Sequence, residues 1–214
     1  MPECAGAILA GGLGSRMGHV DKSRLPVGGR AIVERLLAAF DGLFSEILIA
    51  AKDPGLFTDL VANAPTNSPI KTVPDLIDKR GSLTGLHAVL SQAKASHCFV
   101  TACDAPFVSP RLIALMLSRL EPEDDVLIPR KPDGYLEPLC AVYSKRCLPY
   151  IQAQLAVDRF KIVDFFSRVR VREIAPEDVL TADPELISFF NVNTPGDLEL
   201  AQVMERPGPA PRGK

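Results

Sequence analysis

The sequence predicts an α/β fold: a Rossmann-like, mostly parallel sheet with helices on both faces, forming a single domain over residues 1–204. Three observations carry this. Short apolar runs alternate with apolar residues at helical spacing through most of the chain. The first run passes straight into a cluster of glycines. The length of 214 residues, with 47 % apolar and 23 % charged side chains, is that of one ordinary globular domain.

Ala5–Ala10 (AGAILA) reads as a buried parallel strand, because it is a continuous apolar run closed by glycines. Ile32, Leu36, Leu37 and Phe40 share one helix face. Glu46–Ala51 (EILIAA) is a second strand and Ile70–Val73 a third. Leu83, Leu86, Val89, Leu90 and Ala93 trace the next helix. His97–Cys103 (HCFVTAC) is another buried strand. A helix carrying Leu112, Leu115, Met116 and Leu120 follows it, and then a strand at DVLIP.

The second half is less regular. Leu139–Tyr143 and Val169–Ile174 read as strands. The second alternates apolar and charged residues, as an edge or half-exposed strand does. Asn193 or Thr194 caps a last helix, with Pro195 in its first turn. Residues 205–214 (ERPGPAPRGK) lack apolar periodicity and read as a disordered, Pro/Gly-rich tail.

The formal net charge of −2 argues against a general nucleic-acid binder. The apolar run at residues 5–10 is far below the roughly 20 residues that span a bilayer, and no basic stretch precedes it. No membrane segment is therefore expected. The five cysteines (Cys4, Cys98, Cys103, Cys140, Cys147) are odd in number and form no CxxC pair. Reduced thiols in the cytoplasm fit better than a disulfide framework or a zinc site.

In folds of this class, ligands bind beyond the carboxyl ends of the strands. The first strand ends in Gly11-Gly12-Leu13-Gly14-Ser15-Arg16-Met17-Gly18. Glycines let the backbone approach a ligand closely, and successive N–H groups can hold phosphate oxygens. Arg16 and Lys22 add cationic donors, one a fork and one a point charge. This is neither of two well-known phosphate loops. Gly18 precedes His19 rather than Lys, and Met17 stands where a dinucleotide loop needs its third glycine.

The strand at 97–103 ends in Cys103-Asp104-Ala105-Pro106. A carboxylate there suits Mg²⁺, which one or two carboxylates hold together with phosphate oxygens. Asp75 follows the third strand in Val73-Pro74-Asp75, where, taken alone, Pro-Asp reads as turn chemistry rather than a ligand. A basic glycine-rich loop and two carboxylates on one sheet edge together suit a nucleoside triphosphate with its metal.

At these residues the chain resembles the molybdenum cofactor guanylyltransferases, within the wider nucleotidyltransferases. The family opens with LAGGxxxRMGxxKxxL, matched here by Leu9-Ala10-Gly11-Gly12, Arg16-Met17-Gly18, Lys22 and Leu25. Gly81-Ser82-Leu83-Thr84-Gly85 resembles its GPLAG loop, with Ser82 and Thr84 in place of the proline and alanine. Cys103-Asp104-Ala105-Pro106, Glu137-Pro138-Leu139 and Asn191-Val192-Asn193-Thr194-Pro195 match three further motifs in order. Ala50-Ala51-Lys52 lacks the Asn that some relatives place after the second strand.

The resemblance implies transfer of GMP from GTP to the terminal phosphate of molybdopterin, with Mg²⁺ as cofactor. It implies that Leu9, Ala10, Gly11 and Gly12 line the nucleotide site. Lys22 and Asp75 would contact the nucleotide, and Asp104 would hold the metal. Arg16, Lys22 and Asp104 are the expected catalytic residues. Gly81, Gly85, Asn191 and Asn193 are expected on the acceptor side. Arg130, Lys131, Arg159 and Lys161 are candidates for an electropositive acceptor pocket, and PRKPDGYLEP for a flexible loop over it. Expected protein partners are transient ones, a molybdenum-inserting protein or a molybdoenzyme.

Gly11 favours GTP over CTP, because CTP-using relatives commonly carry Ala there. The alternatives are a CTP-dependent enzyme, a nucleotidyltransferase acting on a sugar or alcohol phosphate, and a non-catalytic cofactor carrier. An NADP-dependent reductase is disfavoured. Its YxxxK pair is missing, since Leu139, Cys147 and Gln154 stand four residues beyond the tyrosines.

Overall fold

A computed structural model describes residues 3–10, 22–64, 66–74, 76–77 and 81–205. In chain order the strands are β1 (Cys4–Leu9), β2 (Pro26–Val27), β3 (Arg30–Ala31), β4 (Ile47–Ala50), β5 (Ile70–Val73), β6 (His97–Ala102), β7 (Val126–Pro129), β8 (Cys140–Ser144) and β9 (Val171–Ile174). The helices are α1 (Ile32–Phe40), α2 (Thr58–Ala62), α3 (Ser82–Gln92), α4 (Pro110–Arg119), α5 (Leu148–Ala156), α6 (Pro176–Ala182) and α7 (Pro195–Met204).

The main sheet has seven strands in the order β5-β4-β1-β6-β8-β7-β9. β1 pairs in parallel with both β4 and β6, and β4 with β5. Successive residues of β1 point to opposite faces, as the pleat requires. Ile8 enters a core with Phe40, Phe44 and Phe99, under α1 and α4. Ala7 and Leu9 enter a second core with Leu86, Val100 and Tyr143, under α3 and α5. Burial on both faces explains why these strands are near-continuous apolar runs.

β8 is the exception to the parallel order, being antiparallel to both β6 and β7. The cause is the short link from β7. Residues 130–139 form a hairpin, with Gly134 at φ +85° and an Arg130–Leu136 bridge, whereas a parallel return needs a crossover of about a dozen residues or more. β9 lies at the sheet edge, as its alternating sequence predicts.

A second small sheet, the β2–β3 hairpin, was not evident in the sequence. Gly28 and Gly29 form its turn at φ +61° and +77°. Positive φ at both central residues is what a tight hairpin turn requires. Of the two capping candidates the structure selects Thr194, whose hydroxyl accepts the Asp197 N–H at the start of α7. Glu205, assigned to the tail by composition, instead continues from α7, with its N–H on the Ala201 carbonyl and its carboxylate 2.7 Å from Arg35.

Candidate active site

The carboxyl ends of β1, β4 and β6 lie side by side and are stitched together by backbone bonds. The Cys103 N–H donates to the Leu9 carbonyl at 3.1 Å, and the Ala10 N–H to the Ala50 carbonyl at 2.7 Å. This edge presents Leu9 and Ala10 from β1 and Asp104 from the turn after β6. The turn is braced from behind by Arg35 of α1. Arg35 Nε donates to the Pro106 carbonyl at 3.1 Å, and its guanidinium lies 5.2 Å from the centre of the Phe107 ring.

Two distant segments complete the edge. Lys22 opens a short 3-10 turn, Lys22–Arg24, just before the β2–β3 hairpin. From the other end of the chain, Val192 docks on the Asp104 turn, its N–H donating to the Asp104 carbonyl at 2.8 Å. The next residue, Asn193, then faces Lys22. The Lys22 ammonium donates to Asp104 Oδ2 at 3.0 Å and to Asn193 Oδ1 at 2.7 Å. The Lys22 and Asp104 side chains are 13 % and 18 % exposed, so this ion pair is shielded from water yet reachable by a ligand.

Asn193 is held in turn by Asp197. One oxygen of that carboxylate, Oδ2, accepts the N–H of Asn193 at 2.9 Å and of Thr194 at 2.8 Å. These two N–H bonds lower the Asp197 pKa, with smaller contributions from the Thr194 hydroxyl and the Lys22 charge. Asp197 was missed in the sequence. Its signal was the Thr-x-x-Asp spacing, which marks a reciprocal helix cap.

The structure thus gathers Lys22, Asp104 and Asn193, while Leu9 and Ala10 form the neighbouring strand end. Among the described residues, the other candidates are not part of this cluster. Asn191 is exposed and its amide donates to the Phe189 carbonyl at 3.4 Å. Gly81 caps α3 at φ +153°, beside Phe160. Gly85 is buried with its N–H on the Gly81 carbonyl, and a Cβ there would lie 3.3 Å from Leu9 Cδ2. It therefore lets α3 pack closely on β1. Gly11, Gly12, Arg16 and Asp75 lie outside the described residues.

Two of the expected pocket cations are committed elsewhere. Arg130 grips Glu173 with two bonds of 2.6 Å, and its Nη1 donates to the Gly134 carbonyl at 3.1 Å. Lys131 pairs with Glu137 at 2.8 Å and Asp133 at 3.4 Å. The expected flexible loop is thus a hydrogen-bonded hairpin whose cations are largely neutralised. Arg159 and Lys161 flank Phe160, next to Gly81.

A lysine held between a carboxylate and an amide oxygen at the edge of an α/β sheet suits phosphate chemistry. The family model described as a MobA-like NTP transferase domain matches residues 6–168. The chain belongs to this family. The match spans the β1 edge, Lys22 and Asp104.

Whole-chain relatives agree with the assignment to MobA-like NTP transferases. A protein of Desulfosudis oleivorans named molybdenum cofactor guanylyltransferase is 36 % identical over 208 residues, covering 97 % of this chain and 98 % of that one. Among solved structures, molybdopterin-guanine dinucleotide biosynthesis protein A of Archaeoglobus fulgidus is similar with a TM-score of 0.77 and 30 % identity. That similarity covers 94 % of this chain and 97 % of the other. The 4-diphosphocytidyl-2C-methyl-D-erythritol synthase of Anaerococcus prevotii shares the fold, with a TM-score of 0.70 at 16 % identity over 96 % of this chain and 99 % of that one. The protein is a nucleotidyltransferase.

Proposed function

We propose that this enzyme transfers GMP from GTP to the terminal phosphate of molybdopterin, giving the guanine dinucleotide and pyrophosphate. The observation that carries the reading is the Lys22–Asp104–Asn193 cluster. Three separate motifs converge on one cationic centre at the strand edge. The names of the relatives supply the substrates.

An oxygen of the acceptor phosphate attacks the α-phosphorus of GTP. A new P–O bond forms there as the bond to pyrophosphate breaks, and pyrophosphate carries away the electron pair. No protein nucleophile takes part. Catalysis comes from positioning and charge stabilisation, as in other phosphoryl transfers. Lys22 holds phosphate oxygens and stabilises charge developing on the departing pyrophosphate, together with Arg16 and the N–H groups of residues 11–18. Leu9 and Ala10 border the nucleotide, and Gly11 leaves backbone room for a guanine.

Mg²⁺ suits the oxygen donors present. Asp104 Oδ2 and Asn193 Oδ1 already converge on a single cation, the Lys22 ammonium. A carboxylate and an amide oxygen are hard ligands of the kind Mg²⁺ accepts beside phosphates. These two residues would hold the ion, which would supply positive charge to offset that of the phosphates. The five cysteines are buried thiols, which suits a reducing cytoplasm.

Pyrophosphate release with Mg²⁺, molybdopterin and each of GTP and CTP tests the reading. Release with GTP that requires molybdopterin supports it. Release with CTP alone keeps the reaction class and overturns the base, and release only with a sugar phosphate overturns the acceptor.

A further inference from the structure

We infer that Asp197 is a positioning residue of the active site, setting the side chain of Asn193 against Lys22 and Asp104. The inference rests on the reading of that cluster as the nucleotidyl-transfer site.

Asp197 could be no more than the cap of α7, since it completes a reciprocal cap with Thr194. What distinguishes it is which N–H groups its carboxylate takes. One is that of Thr194, the ordinary cap position. The other belongs to Asn193, the residue whose side chain reaches Lys22. The backbone of residues 192–194 is therefore pinned on both sides. Val192 is fixed by its N–H on the Asp104 carbonyl at 2.8 Å, and Asn193 and Thr194 are fixed by Asp197 Oδ2.

A side chain points where its backbone sends it, and its allowed rotamers depend on φ and ψ. With residues 192–194 pinned, Asn193 Oδ1 has one approach to the Lys22 ammonium. Removing the Asp197 carboxylate frees the Asn193 N–H and leaves that approach unsupported. The chain of contacts runs Asp197, Asn193, Lys22, Asp104, and it joins the start of α7 to the end of β6.

A double-mutant cycle separates positioning from capping, because residues that act through one another are non-additive. Wild type, Asp197→Ala, Asn193→Ala and the double variant are compared in kcat/KM for pyrophosphate release and in melting temperature. Asp197→Ala lowers kcat/KM by about tenfold, within the range for a displaced catalytic group. In the Asn193→Ala background the same change has an effect below about twofold, since its target is already gone. Thr194→Ala is the control. It removes the hydroxyl that accepts the Asp197 N–H, so it lowers the melting temperature while kcat/KM stays near wild type.

Equal losses from Asp197→Ala in both backgrounds, or a loss matched by Thr194→Ala, overturn the inference and leave Asp197 a helix cap. The same cycle read in the dissociation constant for GTP with Mg²⁺ needs neither acceptor nor turnover. If wild type releases no pyrophosphate, the proposed reaction fails. Non-additive GTP affinity then still supports the role of Asp197, and additive affinity overturns it.

Discussion

The Lys22 ammonium and the Asn193 amide oxygen lie 2.7 Å apart although 171 positions separate them in the chain. That single contact completes the candidate site. It brings the segment after β1 against the segment before α7, over the end of β6. The same ammonium lies 3.0 Å from Asp104, so one cation gathers oxygens from two distant parts of the sequence.

Lys22→Ala and Asp104→Ala each lower turnover by about 10²–10³, the usual loss when a preorganised charged group is removed. Both remain folded, because each side chain stands at the open edge of the sheet rather than in either core. Steady-state pyrophosphate release and thermal melting, measured on the same preparations, check both halves of this expectation.

Away from the site, Asp124 is buried and makes the main ionic link between β9 and the turn before β7. Arg172 Nε donates to Asp124 Oδ1 at 2.9 Å, Arg172 Nη2 to Oδ2, and the Glu121 N–H to Oδ2 at 2.9 Å. Burial pushes the carboxyl pKa up, but the Arg172 bonds, the Glu121 N–H and the Arg172 and Arg170 charges outweigh it, so the pKa is lowered. A carboxylate whose pKa falls on folding stabilises the fold above its unfolded pKa of about 3.9. That contribution disappears as pH falls through the lower folded value. Asp124→Ala therefore costs about 3 kcal/mol at neutral pH, as breaking a buried pair does. Urea unfolding at pH 7 and again below pH 3 shows the difference between variant and wild type shrinking in acid.

Gly6 sits in β1 where no side chain fits. A Cβ there would lie 2.6 Å from Phe44 Cδ2 and 2.7 Å from Phe40 Cδ2. Both rings belong to an aromatic cluster with Phe99, with centroids 5.0–5.8 Å apart. Gly6→Ala must move them and costs about 1–3 kcal/mol, the range for overpacking a core. Chemical denaturation measures it, and an unchanged midpoint contradicts the packing described.

All five thiols are buried. Burial pushes the Cys4 and Cys147 thiols up to about 12, with the Asp125 charge adding to it at Cys147, against a backbone bond at each and the Arg146 charge at Cys147. Thiolate is the reactive form, so a thiol-specific reagent at pH 7.5 labels the native protein slowly. All five react promptly in denaturant. Fast labelling of Cys103, next to Asp104, would contradict its place in the core.

The parallel half of the sheet was legible because strands buried on both faces leave continuous apolar runs. The direction of β8 was not, because side-chain pattern does not encode strand direction; the length of the 130–139 link does. β2 and β3 are two residues each and too short for any period. α6 was missed because it buries only Val179, and one apolar residue makes no stripe. At the site, Lys22, Asp104 and Asn193 each stood out within a motif. Their mutual contact is a product of tertiary folding, and Asp197 stayed hidden behind its ordinary role as a helix cap.

The proposed reaction joins GMP to a pterin phosphate at this site. Incubating the protein with molybdopterin, GTP and Mg²⁺ and identifying the product by mass tests it. Wild type is expected to give the guanine dinucleotide, with pyrophosphate in equal amount, and Asp104→Ala almost none. A folded wild-type protein that binds GTP but yields no dinucleotide contradicts it.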